Sequence, residues 1–322
     1  MRRRWSSSRL ARFEPPGTSP VSRVLHVGEK VEHLSVRHNQ LVAEARHETT
    51  TRTAPLSDVD VVVLSSHLGL SLDLHTLRSA VDAGTAVVVC DERHLPNGVL
   101  LPLFGSWNHT EVLHQQLDAT APRRKRAWQQ IVRRKIEAQA RALPKGSPVA
   151  SRLDELATQV RSGDPENVES QAARIYWPAM LGAEFRRRPQ TREGVNGALD
   201  YGYAIVRSVV ARCAVAVGLH PALGVHHSSR TNPLCLADDL MEPLRPVVDR
   251  LVAGHRLELT GDLDPDGKLV LTTLLELPFR CGKHKGTLTT ATSRYGESFR
   301  GYITGRSDTI MFPEALDHSR DQ

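Results

Sequence analysis

From Val21 to Leu103 the apolar residues fall in short β-branched runs, SRVLHV, QLVAEA, VDVVVLS and TAVVVC, separated by Gly, Asn, Asp or Ser. Runs of this length and composition predict strands. One segment departs from the pattern. In SLDLHTLRSAVDAG, Leu74, Leu77, Ala80 and Val81 recur at helical spacing and Gly84 closes the run, which predicts one helix packed on the sheet.

Beyond LPLFGSWNHT the period lengthens. Residues 121–142 read as a basic amphipathic helix. In SRLDELATQVRSG, Ser151 is placed to cap a helix whose apolar stripe is Leu153, Leu156, Ala157 and Val160, with Gly163 at its end. Asp164 can accept from the free amides of the next helix, and Pro165 suits its first position. That helix runs to Gly182. The segment NGALDYGYAIVRSVVARCAVAVG is the most apolar helix and predicts the centre of the core. The reading is an α+β chain with a small β-rich N-terminal domain over 21–105, a linker over 106–118 and a larger all-α catalytic domain over 119–322. Residues 1–20, rich in Arg, Ser and Pro, read as a disordered basic tail.

At 322 residues and 40% hydrophobic the chain can bury a substantial core, which favours two unequal domains. The net charge of +6 is clustered at Arg2–Arg4, Arg123–Arg126, Arg133–Lys135 and Arg186–Arg188. Clustered arginine suits phosphate, and a solvated face is the plain alternative. The four cysteines form no CxxC pair, which speaks against a zinc ribbon and for a reducing, cytoplasmic setting. No apolar run is long enough to cross a bilayer, so no membrane association is expected. Neither a GxxxxGK[ST] phosphate loop nor a GxSxG elbow occurs. DLDPDGKLVLTT imitates a calcium loop through Asp262, Asp264, Asp266 and Gly267, but its twelfth position is Thr273, so it reads as a plain turn.

Three places could carry chemistry. Glu169 falls on the second turn of its predicted helix, one turn before the methyl-sized Ala172 and Ala173, and its plain reading is a solvated carboxylate. Asp239 and Glu242 are three apart and share a helix face, while Asp238 points elsewhere. Pro243 and Pro246 remove backbone donors beside them, so the helix must kink or restart there. His226 and His227 are adjacent, so only one can face a given site.

Taken together, ENVESQAARIYWPAMLG, NGALDYGYAIVRSVVARCAVAVGLHPALGVHH and LADDLMEPLRPVVD resemble the CRISPR-associated integrase family, the catalytic subunit of spacer acquisition, in its type II-like branch. The resemblance implies metal-binding catalytic residues at Glu169, His227 and Glu242, with Asp239 at a nearby acidic position and His226 facing away. It also implies a homodimer, a small ferredoxin-like adaptation partner, and a larger hetero-oligomeric complex on DNA. Two carboxylates and an imidazole suit Mg²⁺ or Mn²⁺. The expected reaction is insertion of short DNA fragments into a repeat array by 3′-hydroxyl transesterification. Arg186, Arg187, Arg188 and Arg245 are candidate phosphate contacts. The alternatives are a metal-dependent nuclease acting on branched or single-stranded DNA without integration, and a non-catalytic DNA-binding scaffold.

Overall fold

The β-branched runs of the first third form two four-stranded sheets in the computed structural model, which describes residues 23–28, 30–45, 51–65, 69–91, 96–102, 108–189, 191, 193–255, 261, 263 and 265–316. In the first sheet β1 (Arg23–Val27), β5 (Val59–Leu64) and β7 (Ala86–Cys90) are parallel, and β8 (Pro96–Leu100) closes the edge antiparallel to β7. In the second, β2 (Val31–Arg37), β3 (Gln40–Ala45) and β4 (Thr51–Pro55) form a meander, with the short β6 (Ser71–Leu72) parallel to β2. Arg37 pairs with Gln40 across a two-residue turn in which His38 and Asn39 have φ of 50° and 59°. Those angles suit the right-handed twist of a tight hairpin. The predicted helix is α1 (Leu74–Asp82), capped by Asp73, whose carboxylate accepts from the Thr76 amide at 2.7 Å. The basic tail over residues 1–20 lies outside the described residues.

The apolar run of β5 is explained by burial on both faces. Val59, Val62 and Leu64 pack into a separate core shared by the two sheets and α1, whereas Val61 and Val63, with Ala86 and Val88 of β7, pack into the core of the helical half. Parallel strands covered on both sides need side chains of this kind throughout.

The helical half contains α2 (His109–Leu117), α3 (Ala121–Ala142), α4 (Pro148–Gln159), α5 (Val168–Leu181), α6 (Gly194–Ala216), α7 (Cys235–Met241), α8 (Arg245–Gly254), α9 (Pro265–Thr272) and α10 (Leu288–Ile303). As expected, α6 is the central helix, buried along most of its length. Arg212 of α6 reaches into the first sheet, donating to the Gly84 carbonyl at 3.0 Å and to Asp60 at 2.5 Å, so a partly buried ion pair joins the two halves.

Four expectations are corrected. Residues 106–118, read as a linker, hold α2. The helix read from Ser151 starts at Pro148, with Ser147 before it, because Pro148 fits a first-turn position that needs no amide. The half read as all-α also carries a small antiparallel sheet, β9 (Pro278–Cys281) flanked by β10 (His284–Thr287) and β11 (Pro313–Ala315). Its strands are three or four residues long, too short for a periodic signal. In the calcium-loop look-alike, Asp262 and Asp264 lie outside the described residues, and Pro265–Thr272 form the helix α9 rather than a turn. Among the described residues no helix is long and apolar enough to cross a membrane.

Candidate active site

The start of α5 is built by a double cap. Asp164 and Asn167 both adopt positive φ, 50° and 52°. Asp164 accepts from the Val168 amide at 2.8 Å and the Glu169 amide at 3.0 Å, and Asn167 accepts from the Ser170 amide at 3.3 Å. The capping role read for Asp164 is realised, but three residues upstream of the N-cap residue Asn167. Pro165 is not the first helical residue, and Glu169 therefore lies in the first turn rather than the second. Its carboxylate sits where the helix dipole favours negative charge.

Glu242 stands at a break in the backbone. Helix α7 ends at Met241, a 3-10 turn spans Glu242–Leu244, and α8 begins at Arg245. This is the restart that Pro243 and Pro246 demand, and it presents a buried Glu242 to the side of α3.

Asp239, one turn earlier, is fully buried and organises the histidine loop. It accepts from the amides of Val225 (2.6 Å), His226 (3.1 Å) and His227 (3.1 Å), and contacts His227 Nδ1 at 2.6 Å. With three amides already donating to Asp239, an N–H at His227 Nδ1 completes the set, and in that tautomer of the neutral ring the lone pair lies on Nε2. The hydrogen bond to Asp239 raises the His227 pKa above the usual imidazole value, against the opposing effect of burial. Gly224 makes this closure possible: a Cβ there would lie 2.3 Å from the His227 carbonyl oxygen and 2.8 Å from Asp239 Oδ2. Asp238 points away, as read, and holds Arg207 at 2.6 Å and Asn232 at 2.6 Å.

His226, expected to face away from the site, has Trp128 as its neighbour. Its ring lies flat on the buried indole of Trp128, with centroids 4.1 Å apart and planes 4° from parallel, while His227 meets the same indole edge-on at 5.7 Å. Adjacent residues share one neighbour because the loop is folded around Asp239 rather than extended. The loop is also clamped from α2. Gln116 donates to the carbonyls of His220 (3.2 Å) and Leu223 (3.0 Å) and accepts from the His220 amide at 2.9 Å.

Glu169 and Glu242 meet at one positive charge. Lys135 Nζ of α3 lies 2.5 Å from Glu169 Oε1 and 2.5 Å from Glu242 Oε2, and Arg245 Nε lies 3.0 Å from the other oxygen of Glu242. Burial alone would raise the Glu242 carboxyl pKa, but the charges of Lys135 and Arg245 outweigh it and hold it below the usual range. Burial would likewise lower the Lys135 pKa, and the two carboxylates reverse that, so the ammonium is retained. Of the three residues expected to converge, the two acids share one point, and His227 is turned onto Asp239. Among the described residues no three His, Cys, Asp or Glu side chains surround a common point closely enough to hold a metal as they are placed. The donor chemistry nevertheless suits a hard divalent cation. The two carboxylates already enclose a cation, and the proton held at Nδ1 leaves His227 Nε2 as a nitrogen donor.

The four arginines read as phosphate contacts divide into two pairs. Arg187 is bound to Asp200 and to Asn196 (3.1 Å) and lies over the Tyr203 ring at 5.4 Å. Arg245 is bound to Glu242 and lies over the same ring at 4.7 Å. Both are thus committed to internal partners. The Tyr203 hydroxyl donates to Asp249, as does that of Tyr176 at 2.9 Å, so a buried tyrosine pair backs the site. Burial pushes the Asp249 carboxyl pKa up to about 6, opposed by those two hydrogen bonds. Arg186 and Arg188 are exposed. Arg186 donates to the carbonyls of Ala183 and Phe185, and Arg188 is anchored through its amide by Asn196 at 2.8 Å.

Sequence reasoning missed Lys135 and Trp128. Lys135 belongs to a basic cluster, yet it continues the buried stripe Trp128, Ile131, Val132 and Ile136 of α3 at helical spacing. A lysine inside an apolar stripe is the signal that could have marked it.

Comparison with known proteins agrees with this architecture. The family described as CRISPR associated protein Cas1 matches residues 25–258. The chain is 35% identical over 289 residues, 88% of its length and 93% of the relative's, to the CRISPR-associated endonuclease Cas1 of Neisseria meningitidis serogroup C. It is 29% identical over 242 residues, 71% of its length and 81% of the relative's, to a CRISPR-associated endonuclease Cas1 of Pyrobaculum aerophilum. Among solved structures it resembles a casposase bound to integration product, with TM-score 0.74 and 18% identity over 89% of this chain and 92% of that one. It also resembles a Cas1 protein from Thermotoga maritima, with TM-score 0.70 and 14% identity over 91% and 100%. At these identities the structural likenesses speak for the fold.

Proposed function

Because this chain belongs to the Cas1 family of CRISPR-associated proteins, we propose that it is a metal-dependent DNA integrase and endonuclease that inserts short DNA fragments into a repeat array. The observation that carries this reading is the meeting of Glu169 and Glu242, from α5 and from the break between α7 and α8, at a single positive charge beside an oriented histidine. The relatives named as endonucleases and the casposase neighbour support it.

In this reading Glu169, Glu242 and His227 Nε2 hold Mg²⁺ or Mn²⁺. When bound, the ion polarises a phosphodiester and stabilises charge on the oxygens exchanged there. The residues of the chain supply position. Asp239 fixes the His227 tautomer and ring orientation, Asp164 fixes the start of α5, and Arg245 keeps Glu242 ionised by neutralising one of its oxygens. In joining, the 3′-hydroxyl oxygen of the fragment forms a bond to a repeat phosphorus. The phosphorus–O3′ bond of the repeat breaks, and the departing O3′ takes up the proton released by the attacking hydroxyl. With water as the nucleophile the same centre cuts without joining. The reading includes action in the cytoplasm as a homodimer, with a small ferredoxin-like partner in a larger complex on DNA. A Cas6-RT-Cas1–Cas2 complex among the structural neighbours is in keeping with such an assembly.

The test uses the purified chain and its partner, 3′-hydroxyl duplexes, a repeat-bearing plasmid, and Mg²⁺ or Mn²⁺. Joined product is expected. Glu169→Ala, His227→Ala and Glu242→Ala are each expected to abolish joining while duplex binding persists, whereas His226→Ala should weaken joining less. Full joining by any of the three would overturn the assignment. Nicking without joined product would favour the nuclease reading.

A further inference from the structure

We propose that Lys135 is a built-in counter-cation that holds Glu169 and Glu242 together before a divalent ion arrives, and that the ion binds by displacing its ammonium. The inference rests on the metal-site reading above and adds a residue to it.

Its position is unusual for a lysine. Trp128, Ile131, Val132 and Ile136 of the same α3 face are almost fully buried, and the Lys135 side chain is only 14% exposed. A charge placed there persists only with close partners. It has two, from elements far apart in the chain, each 2.5 Å from Nζ. The lysine therefore braces α5 to the break between α7 and α8. Without it, two carboxylates would face each other across a partly dry gap and repel.

Charge and space both make the ammonium and an ion exclude each other. Glu169 and Glu242 are matched by Lys135 and Arg245 in direct contact, so this group of four side chains carries no net charge. A divalent ion added to it intact would leave two excess positive charges in a largely buried site. Ligand oxygens approach Mg²⁺ to about 2.0–2.1 Å, so an ion on the oxygens that Nζ now touches would collide with Nζ. Arg245 is pinned against Tyr203 and Glu242. Lys135 has a flexible four-carbon stem, so of the two it is the cation free to leave.

The experiment compares wild type with Lys135→Met at pH 8, titrating Mn²⁺ and reading free Mn²⁺ by electron paramagnetic resonance. Removing the competing charge should tighten Mn²⁺ binding roughly ten-fold or more. In chelator the variant should melt below wild type, and Mn²⁺ should raise its melting temperature by more than it raises that of wild type. Equal or weaker Mn²⁺ affinity in the folded variant would overturn the proposal. A second measurement needs no variant: labelling of Lys135 in the wild type by an amine-reactive reagent, read by mass spectrometry, should rise when Mn²⁺ saturates the site. Unchanged labelling at saturation would overturn displacement while leaving the metal site standing. A wild type that binds no Mn²⁺ would overturn the metal reading and this inference together.

Discussion

Asp239, fully buried, holds the Nδ1 of His227 at 2.6 Å while three loop amides converge on the same carboxylate. One acid therefore sets both the path of the loop and the tautomer of the ring. Asp239→Asn keeps the shape but can place an N–H where His227 now donates, and the amide accepts less strongly than a carboxylate. We expect Mn²⁺ affinity and joining to fall by about 10- to 100-fold with duplex binding unchanged, measured by Mn²⁺ titration and the plasmid joining assay.

Gly224→Ala tests the same closure from the backbone. The added Cβ would lie 2.3 Å from the His227 carbonyl oxygen, a clash the loop can relieve only by moving away from Asp239. Joining should drop at least as far as in Asp239→Asn. Glu169 and Glu242 should remain paired through Lys135, so the melting temperature should change less than in Glu242→Ala, which leaves Lys135 and Arg245 without their shared buried partner.

The arginine pairs should separate in a salt series. Replacing exposed Arg186 or Arg188 by Ala is expected to flatten the dependence of log affinity on log salt by about one unit for each phosphate no longer neutralised. Arg187→Ala should leave that slope unchanged and lower the melting temperature, since it breaks the pairing with Asp200 and the packing on Tyr203. Fluorescence anisotropy and circular dichroism read the two effects.

Asp249 predicts a pH dependence of stability. Its folded carboxyl pKa is raised from 3.8 to about 6, chiefly by burial. Below about pH 4 the group is protonated in both states and imposes no penalty. As pH rises from about 4 to 6 the unfolded chain ionises while the folded one resists, so stability is lost across that window and levels off above it. Asp249→Asn removes this component. Urea unfolding should show the variant gaining on wild type by up to about 3 kcal/mol between pH 4 and pH 6.5, and parallel pH profiles would contradict the assignment.

Much of this molecule was legible along the chain. The helix restart at Glu242 followed from Pro243 and Pro246, because a residue without an amide hydrogen cannot continue the ladder wherever it folds. The amide-binding role of Asp164 followed from side-chain chemistry in the same way, although its exact place did not, since the positive φ of Asp164 and Asn167 stretches the cap by three residues. The acids Glu169 and Glu242 and the histidine were found through family resemblance, because each alone has an ordinary reading. The support of the loop by Gln116 was hidden, because its partners are main-chain carbonyls more than a hundred residues away.

By itself the sequence determined the strands β1, β3, β5 and β7, the helices α1 and α3 to α6 to within a few residues, the break at Glu242, and which side chains can offer oxygen or nitrogen to a cation. These depend on local periodicity and on the chemistry of single residues. Tertiary structure alone decided which charges meet. The stripe of α3 marks Lys135 as inward-facing but not its partners, and Arg187 looks like its neighbours in a basic run; only the packing of α3 against α5 and the break before α8 brings two carboxylates to the first, and only α6 brings Asp200 and Tyr203 to the second. The reason is that the energy of a charge depends on how much water it keeps and on what stands within a few ångströms, and neither is a property of its neighbours in the chain.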